Sequence, residues 1–452
     1  MAKTISRRHF LQTASVAATG LATYGCATTQ DEGTSTMPNV ILAMSDDQGW
    51  GDTGYNGHPV LQTPTLDDMA RKGIRFDRFY SGAPVCSPTR GSCLTGRHPY
   101  RYGVFGANSG DYEARSKYPL PPQEITLAEV LRQHGYTTGH FGKWHLGDFD
   151  GPMRSSPADN GFDIFFSTVR KVPTCDPFGY FTNDGPFDQK LEGDDSAILM
   201  DRALEFMRTA ADRGQPFFAV LWFHTPHRPI VATAEDRARY AKHSEFEQHF
   251  WGSLTALDTQ MGRLRATLRE LGQANDTMLW YCSDNGCARG GDDTCGSTGG
   301  LAGAKGTLYE GGVRVPGLLE WPSRLTQPRR IEMPCSTSDY FPTILDLLDI
   351  EMPDDRPMDG ISLTETIADQ TTSRSKPIAF EHRGTAALLD NRYKLIAGID
   401  DPTHVELFDL LEDPQEKKNL ATARPQVVES MRTTLAAWRS SVDNSRAGQD
   451  YT

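Results

Sequence analysis

Positive charge is scarce in this sequence: 46 lysines and arginines stand against 59 aspartates and glutamates over 452 residues, a formal net charge of -13. A nucleic-acid binder displaces counterions with a basic surface, and this balance argues against that class. An anionic substrate is still permitted, because surface fields fade over about 8 Å at physiological salt and a local basic pocket survives inside an acidic protein. Long apolar runs are missing too. The weakly apolar Ala/Thr/Leu stretch near the start is too short and too polar to anchor as a transmembrane helix. No internal repeat is found. Cysteine is sparse, with eight in all. Setting Cys26 and Cys86 aside leaves Cys93, Cys175, Cys282, Cys287, Cys295 and Cys335, an even set that permits disulfides in an exported protein. Cys287 with Cys295, closing a short Gly-rich loop, is the one specific pairing expected. The rest is an ordinary globular composition, long enough for one large domain and a smaller one.

Residues 1–36 read as a leader and a polar tether outside the fold. Ser6-Arg7-Arg8-His9-Phe10-Leu11 is a twin-arginine export motif. The expected partner is therefore the Tat translocon, and the expected destination is the periplasm or cell surface, reached already folded. Cys26 is a candidate lipid-anchor site, with cleavage nearby and no lipid as the alternative. Residues 37–372 are expected to form the main domain and 373–452 a small C-terminal one.

Within the main domain, apolar runs repeatedly end in polar pairs. Asn39 to Met44 reads as a strand buried on both faces and ends in Ser45-Asp46-Asp47. Tyr136 to Phe141 ends in Gly142-Lys143-Trp144-His145, where a two-residue spacing would point Lys143 and His145 to one side. Pro216 to Phe223 ends in His224-Thr225-Pro226-His227-Arg228, and Thr277 to Cys282 ends in Ser283-Asp284-Asn285-Gly286, with Gly286 expected at positive φ. Helices are expected over Thr63–Lys72, Gln123–His134, Asp195–Arg213, Glu245–Leu271 and Ser338–Ile350, and single strands over Ile74–Tyr80 and Val313–Glu320. Short strands from Lys376 to Asp409 and a helix from Pro425 to Ser440 read as a small antiparallel sheet with a covering helix. Polar strand ends on one edge of a parallel sheet converge on a common crevice. Three carboxylates and an amide oxygen there, without a necessary His or Cys ligand, suit a hard divalent cation, Ca²⁺ or Mg²⁺.

Between the first two strand ends lies Val85-Cys86-Ser87-Pro88-Thr89-Arg90-Gly91, with a helical turn or two expected over Ser92–Gly96. Even Cys-x-Pro-x-Arg alone would arise by chance in only about a few per cent of chains this long. With Asp46-Asp47 before it and Lys143-x-His145, His224, Asp284-Asn285 and Lys305 after it in that order, the chain resembles the type I, formylglycine-dependent sulfatases of the alkaline phosphatase superfamily. The match runs from Asn39 to about Leu319, and Leu407 to Asn419 resembles the small C-terminal subdomain of the same enzymes. The resemblance implies an α/β fold with a large, mostly parallel sheet flanked by helices, and a small C-terminal antiparallel sheet plus helix. It implies that a maturation enzyme oxidises Cys86 to formylglycine. Asp46, Asp47, Asp284, Asn285 and the modified Cys86 would bind the metal, with Arg90, Lys143, His145, His224 and Lys305 around the sulfate.

The chemistry expected of such a site is attack on sulfur by one hydroxyl of a hydrated aldehyde, followed by deprotonation of the other to expel sulfate. His145 is the candidate base, His224 the candidate acid for the departing oxygen, and Arg90, Lys143 and Lys305 the charge-stabilising groups. Export and the polar, aromatic stretch Thr168–Tyr180 suggest a sulfated carbohydrate, with His227, Arg228, Arg170, Lys171 and Asp176 as candidate contacts. Two rivals share these features: a phosphate or phosphonate ester hydrolase on the same scaffold, and a silent glycan-binding protein should Cys86 stay unmodified.

Overall fold

In the computed structural model, residues 37–107, 119–289 and 296–451 are described. The leader, Cys26 and Cys295 lie outside them. Five parallel strands form the centre of a ten-stranded sheet, in the order Thr277–Ser283, Asn39–Ser45, Phe217–Trp222, Thr137–Lys143 and Ile164–Thr168. Every residue of Asn39–Ser45, Phe217–Trp222 and Thr277–Ser283 is buried. Such strands must be apolar on both sides, which is why they appear as continuous runs and not as alternations.

Alternate residues supply the two halves of the core. Ile41, Ala43, Ala219, Leu221 and Leu279 pack with Leu66, Met69, Leu199, Leu204, Leu257 and Leu264. These last residues lie on the helices Pro64–Lys72, Asp195–Asp212 and Glu245–Glu270. Val40, Leu42, Val220, Trp222, Met278 and Trp280 face the other way, onto Leu94, Leu127 and Ile344. Truncating one of these fully buried aliphatic side chains to Ala should cost about 2–5 kcal/mol. No helix among the described residues is long and apolar enough to cross a membrane.

The C-terminal sheet is an antiparallel meander of Ile378–His382, Thr385–Leu389, Tyr393–Gly398 and Val405–Asp409. Leu388, Leu395 and Leu407 pack under Met431 and Leu435 of the helix Pro425–Arg446. The opposite face, with Phe380, Leu389, Ile396 and Phe408, closes on Tyr80, Leu308 and Val313 of the larger body.

Several local expectations are corrected. The helix after the Cys86 loop spans Cys86–Thr95 and begins at the cysteine itself. Ile74–Tyr80 is two short strands, Ile74–Phe76 and Phe79–Tyr80, which belong to different sheets. Val313–Glu320 is likewise divided: Val313 ends a helical turn, Arg314–Val315 pairs with Phe79–Tyr80, and Gly317–Glu320 runs antiparallel to Thr277–Ser283. Ile164–Thr168 is a strand that its flanking loops concealed. Gly286 does not adopt positive φ. It is needed for close approach instead, since a Cβ there would fall 1.9 Å from the Gly311 carbonyl oxygen. Among the described residues no two of Cys86, Cys93, Cys175, Cys282, Cys287 and Cys335 are bridged to each other, and the expected Cys287–Cys295 pairing involves a residue outside those described.

Candidate active site

The polar strand ends meet at one edge of the sheet, as open α/β topology requires. Asp46 follows directly on Asn39–Ser45, and its backbone N–H donates to the Thr225 carbonyl at 2.9 Å. Asp47 sits at φ +71, a left-handed conformation that Asp tolerates better than most residues, and its N–H donates to Asp284 Oδ1 at 3.1 Å. A turn so constrained is aimed by the sheet and not by solvent.

The helix starting at Cys86 completes the cluster. Thr89 Oγ1 both accepts from the Ala83 N–H at 3.1 Å and donates to the Ala83 carbonyl at 2.9 Å, fastening the preceding loop. Cys86 and Arg90, four apart, share a helix face. The Arg90 side chain has no solvent exposure and lies over the Trp222 ring. It donates to Asp284 Oδ2 through Nε at 3.2 Å and its terminal nitrogen at 2.7 Å, and to the Lys143 carbonyl at 2.9 Å. Lys143 Nζ donates to Asp46 Oδ2 at 2.7 Å, and Lys305 Nζ to Asp47 Oδ1. Asn285 Nδ2 donates to that same Asp47 oxygen at 2.7 Å. Three buried carboxylates thus face three cations, and an added divalent ion would leave a surplus of two positive charges for an anionic ester.

The donor set fits such an ion. Asp46 Oδ1 and Asn285 Oδ1 are buried without a hydrogen-bond partner. Each would cost about 1–3 kcal/mol if left so. Ligand atoms of Asp46, Cys86 and Asp284 lie within 4.8 Å of one another, as do those of Asp46, Asp47 and His227. The carboxylate oxygens of Asp46, Asp47 and Asp284 are donors that suit Ca²⁺ or Mg²⁺, whereas His227 adds a nitrogen and unmodified Cys86 a sulfur.

Titration behaviour follows the crowding. Burial and the Asp46 charge push Asp284 up to about 6 against the pull of Arg90. Burial would also raise Asp47, but Lys305 and His227 hold it well below the carboxylate range. Burial, then Lys143 and Arg90, keep His145 neutral far below the usual histidine value. His145 itself lies beyond the strand at φ +60, so the pleat does not set its direction; its N–H is held by the Val169 carbonyl at 3.1 Å.

The two histidines after Phe217–Trp222 part company. His224 is fully buried, with Nδ1 2.8 Å from Asp195 Oδ2 and Nε2 2.7 Å from Thr168 Oγ1. Tyr180 donates its hydroxyl to the other Asp195 oxygen. With both ring nitrogens engaged by protein, His224 has none left for a departing oxygen, and the acid role expected of it does not fit its setting. His227 is half-buried and places Nε2 3.7 Å from Asp47 Oδ2, while Nδ1 donates to the Arg228 carbonyl at 2.7 Å. Burial and the nearby lysines push it down to about 3, against the pull of Asp47.

Of the other candidate contacts, Arg170 and Lys171 are exposed on the loop leaving Thr168, and Arg228 lies over the Phe246 ring. Asp176 is exposed but engaged by the segment before the helix Asp195–Asp212, accepting from the Gly193 N–H at 2.7 Å. Sequence reasoning missed Asp195, Thr168 and Tyr180. Asp195 could have been suspected, because Asp194 already caps its helix through the Ala197 N–H at 3.0 Å, leaving a second, buried aspartate without a capping task. Also missed was Phe178, which is 67% exposed on the same loop.

Comparison with known proteins gives the class. Residues 38–350 match the sulfatase family model, and 304–441 match the model for the C-terminal region of N-sulphoglucosamine sulphohydrolase. The chain belongs to the sulfatase family of the alkaline phosphatase superfamily, and it is a sulfatase enzyme. It is 32% identical to N-acetylgalactosamine-6-sulfatase of Mus musculus over 375 residues, covering 78% of this chain and 70% of that protein. It is 31% identical to arylsulfatase A of Bos taurus over 444 residues, covering 86% and 84%. Among solved structures it resembles Ps i-CgsB in complex with k-i-k-neocarrahexaose, with a TM-score of 0.79, 26% identity, and coverage of 91% of this chain and 94% of that one.

Proposed function

We propose that this chain is an exported sulfatase that removes sulfate from a carbohydrate outside the cytoplasm, using formylglycine at position 86. The observation that carries the reading is the placement of Cys86, first in its helix, among Asp46, Asp284 and Arg90 at the sheet edge. Asp46, Asp47, Asp284, Asn285 and residue 86 would hold a divalent cation, Ca²⁺ or Mg²⁺, and the cation and the modified side chain together supply the nucleophile toward sulfur.

The chain's own groups do the rest. Lys143 and Lys305 reach into the cluster onto Asp46 and Asp47, and offer their charge to the oxygens of the transferring group. Arg90 fixes Asp284 and so the geometry around residue 86. His145, kept neutral by burial and two cations, is suited to accept a proton. The donor to the departing alcohol is His227 in place of His224, since its Nδ1 is occupied by a carbonyl while Nε2 faces the cluster from its half-open side. A sulfate ester bound there would supply the negative charge that favours the imidazolium.

The carbohydrate substrate is supported by the relatives' names, N-acetylgalactosamine-6-sulfatase among them, and by the exposed Arg170, Lys171 and Phe178 on the loop that leaves Thr168 and the exposed Arg228 next to His227, side chains of the aromatic and hydrogen-bonding kinds that hold sugars. The twin-arginine motif supports export, with the maturation enzyme acting before the folded chain leaves. Mass spectrometry of the residue-86 peptide, combined with desulfation of sulfated galactose, glucosamine, fucose and uronic-acid oligosaccharides with and without chelator, tests the reading. Expected are a formylglycine mass, sulfate release from at least one glycan, and loss of turnover on exhaustive chelation. Full turnover with an unmodified thiol, or activity on simple hydrophobic sulfates alone, would overturn it.

A further inference from the structure

A second ionic cluster, unused by the chemistry above, underlies the loops that carry Cys86 and Lys305. Lys394, on the strand Tyr393–Gly398 of the C-terminal sheet, is fully buried, with Nζ 3.1 Å from Glu310 Oε1 and 3.0 Å from Glu416 Oε1. Glu310 Oε2 accepts from the Tyr80 hydroxyl at 2.9 Å and lies 3.5 Å from a terminal nitrogen of Arg314. The Glu310 backbone N–H donates to Glu416 Oε2 at 2.6 Å. One ammonium therefore separates two carboxylates that would otherwise repel each other in a dry interior.

What this cluster holds is the active-site loops. Glu310 opens the helical turn Glu310–Val313 just after Lys305. Within the same stretch, the Lys305 N–H donates to the Cys287 carbonyl at 3.1 Å and the Gly306 N–H to the Pro84 carbonyl at 2.9 Å. The Val313 carbonyl accepts from the Ser81 N–H at 2.9 Å. Tyr80, Ser81 and Pro84 lead directly into Cys86, so Glu310 and its neighbours touch both loops. Tyr309 adds a second tie to the C-terminal sheet, donating to Glu406 Oε2 at 2.6 Å.

We propose that Lys394 is a positioning residue, which fastens the Lys305 loop to the C-terminal sheet and so sets where the Lys305 ammonium stands relative to residue 86. The proposal rests on the sulfatase reading for its effect on turnover. Without Lys394, Glu416 loses its ion-pair partner and stands against Glu310, which keeps only the longer 3.5 Å approach of Arg314. The segment most able to move away is the glycine-rich loop 296–309, because the sheet strands on either side are fixed by their ladders.

Lys394→Met in the matured enzyme is the test, with the charge-balanced double substitution Lys394→Met/Glu416→Gln as the variant kept for folding. Two readouts are taken: kcat/KM alone and in a Lys305→Ala background, and backbone hydrogen exchange over residues 296–309. Expected is a loss of about 30-fold in kcat/KM at unchanged metal and formylglycine content, and no more than about threefold further loss when Lys305 is already absent. Exchange should rise at least about tenfold in 296–309 and stay constant in Asn39–Ser45. Losses that multiply in the double mutant, or unchanged exchange in 296–309, would overturn the proposal. Failure of both variants to fold would also overturn it, by making Lys394 a residue of general stability. A wild-type enzyme that releases no sulfate would count against the functional reading alone, because the exchange measurement needs no turnover.

Discussion

Arg90 and Asp284 meet at 2.7 Å with neither side chain exposed to solvent. A fully desolvated pair of this kind contributes little net stability, yet removing one partner leaves a buried charge that costs about 3–5 kcal/mol. Its value here is geometric: Arg90 joins the Cys86 helix to the end of Thr277–Ser283, while its third contact, the Lys143 carbonyl, joins a further strand.

Arg90→Lys keeps the charge and loses the fork, and Lys cannot span Asp284 and the Lys143 carbonyl together. The variant should fold and lose about 100-fold in kcat/KM. Rates are to be divided by the formylglycine fraction measured on the same sample, since Arg90 belongs to the motif read for oxidation. A corrected rate within threefold of wild type would remove Arg90 from the positioning of the site.

His224 and His227 are distinguished by leaving-group dependence. His227→Ala should cost about 10³-fold on a sugar or alkyl sulfate and only about 10-fold on an activated aryl sulfate, whose leaving group scarcely needs a proton. His224→Ala should lower both rates by a similar factor, because it acts through Asp195, Thr168 and the loop they hold. The reverse pattern would return the acid role to His224.

Much of this site was legible because the physics that buries a parallel strand also marks its end. A run such as Asn39–Met44 can stop only where polar groups become tolerable, so Asp46, Lys143 and Asp284 stand out from the sequence at the same edge. The inward turn of His224 was not legible. It depends on Asp195, Thr168 and Tyr180, which are distant in sequence and brought together only by strand pairing and by the helix start at Asp195. The role of Gly286 was misread for a related reason, since the space it must leave is set by Gly311 on another segment. The Lys394 cluster was equally hidden, since a lysine near the start of a short strand reads as a surface residue until Glu310 and Glu416 are placed beside it.

Asp194 offers a test through pH. Its Oδ1 caps the helix Asp195–Asp212, its Oδ2 is buried without a hydrogen-bond partner, and burial together with the Asp195 charge pushes its carboxyl up to about 8, from an ordinary 3.8. A folded-state value above the unfolded one means that the folded protein holds the proton more tightly. The stability this confers is complete below about pH 4 and is lost as pH rises through about 8. Asp194→Asn keeps a good capping side chain and has no proton to lose. Thermal unfolding should therefore show the variant close to wild type at pH 5 and higher by about 2–5 °C at pH 9. Parallel curves across that range would mean that the Asp194 carboxylate ionises without penalty, and that its second oxygen is satisfied in solution.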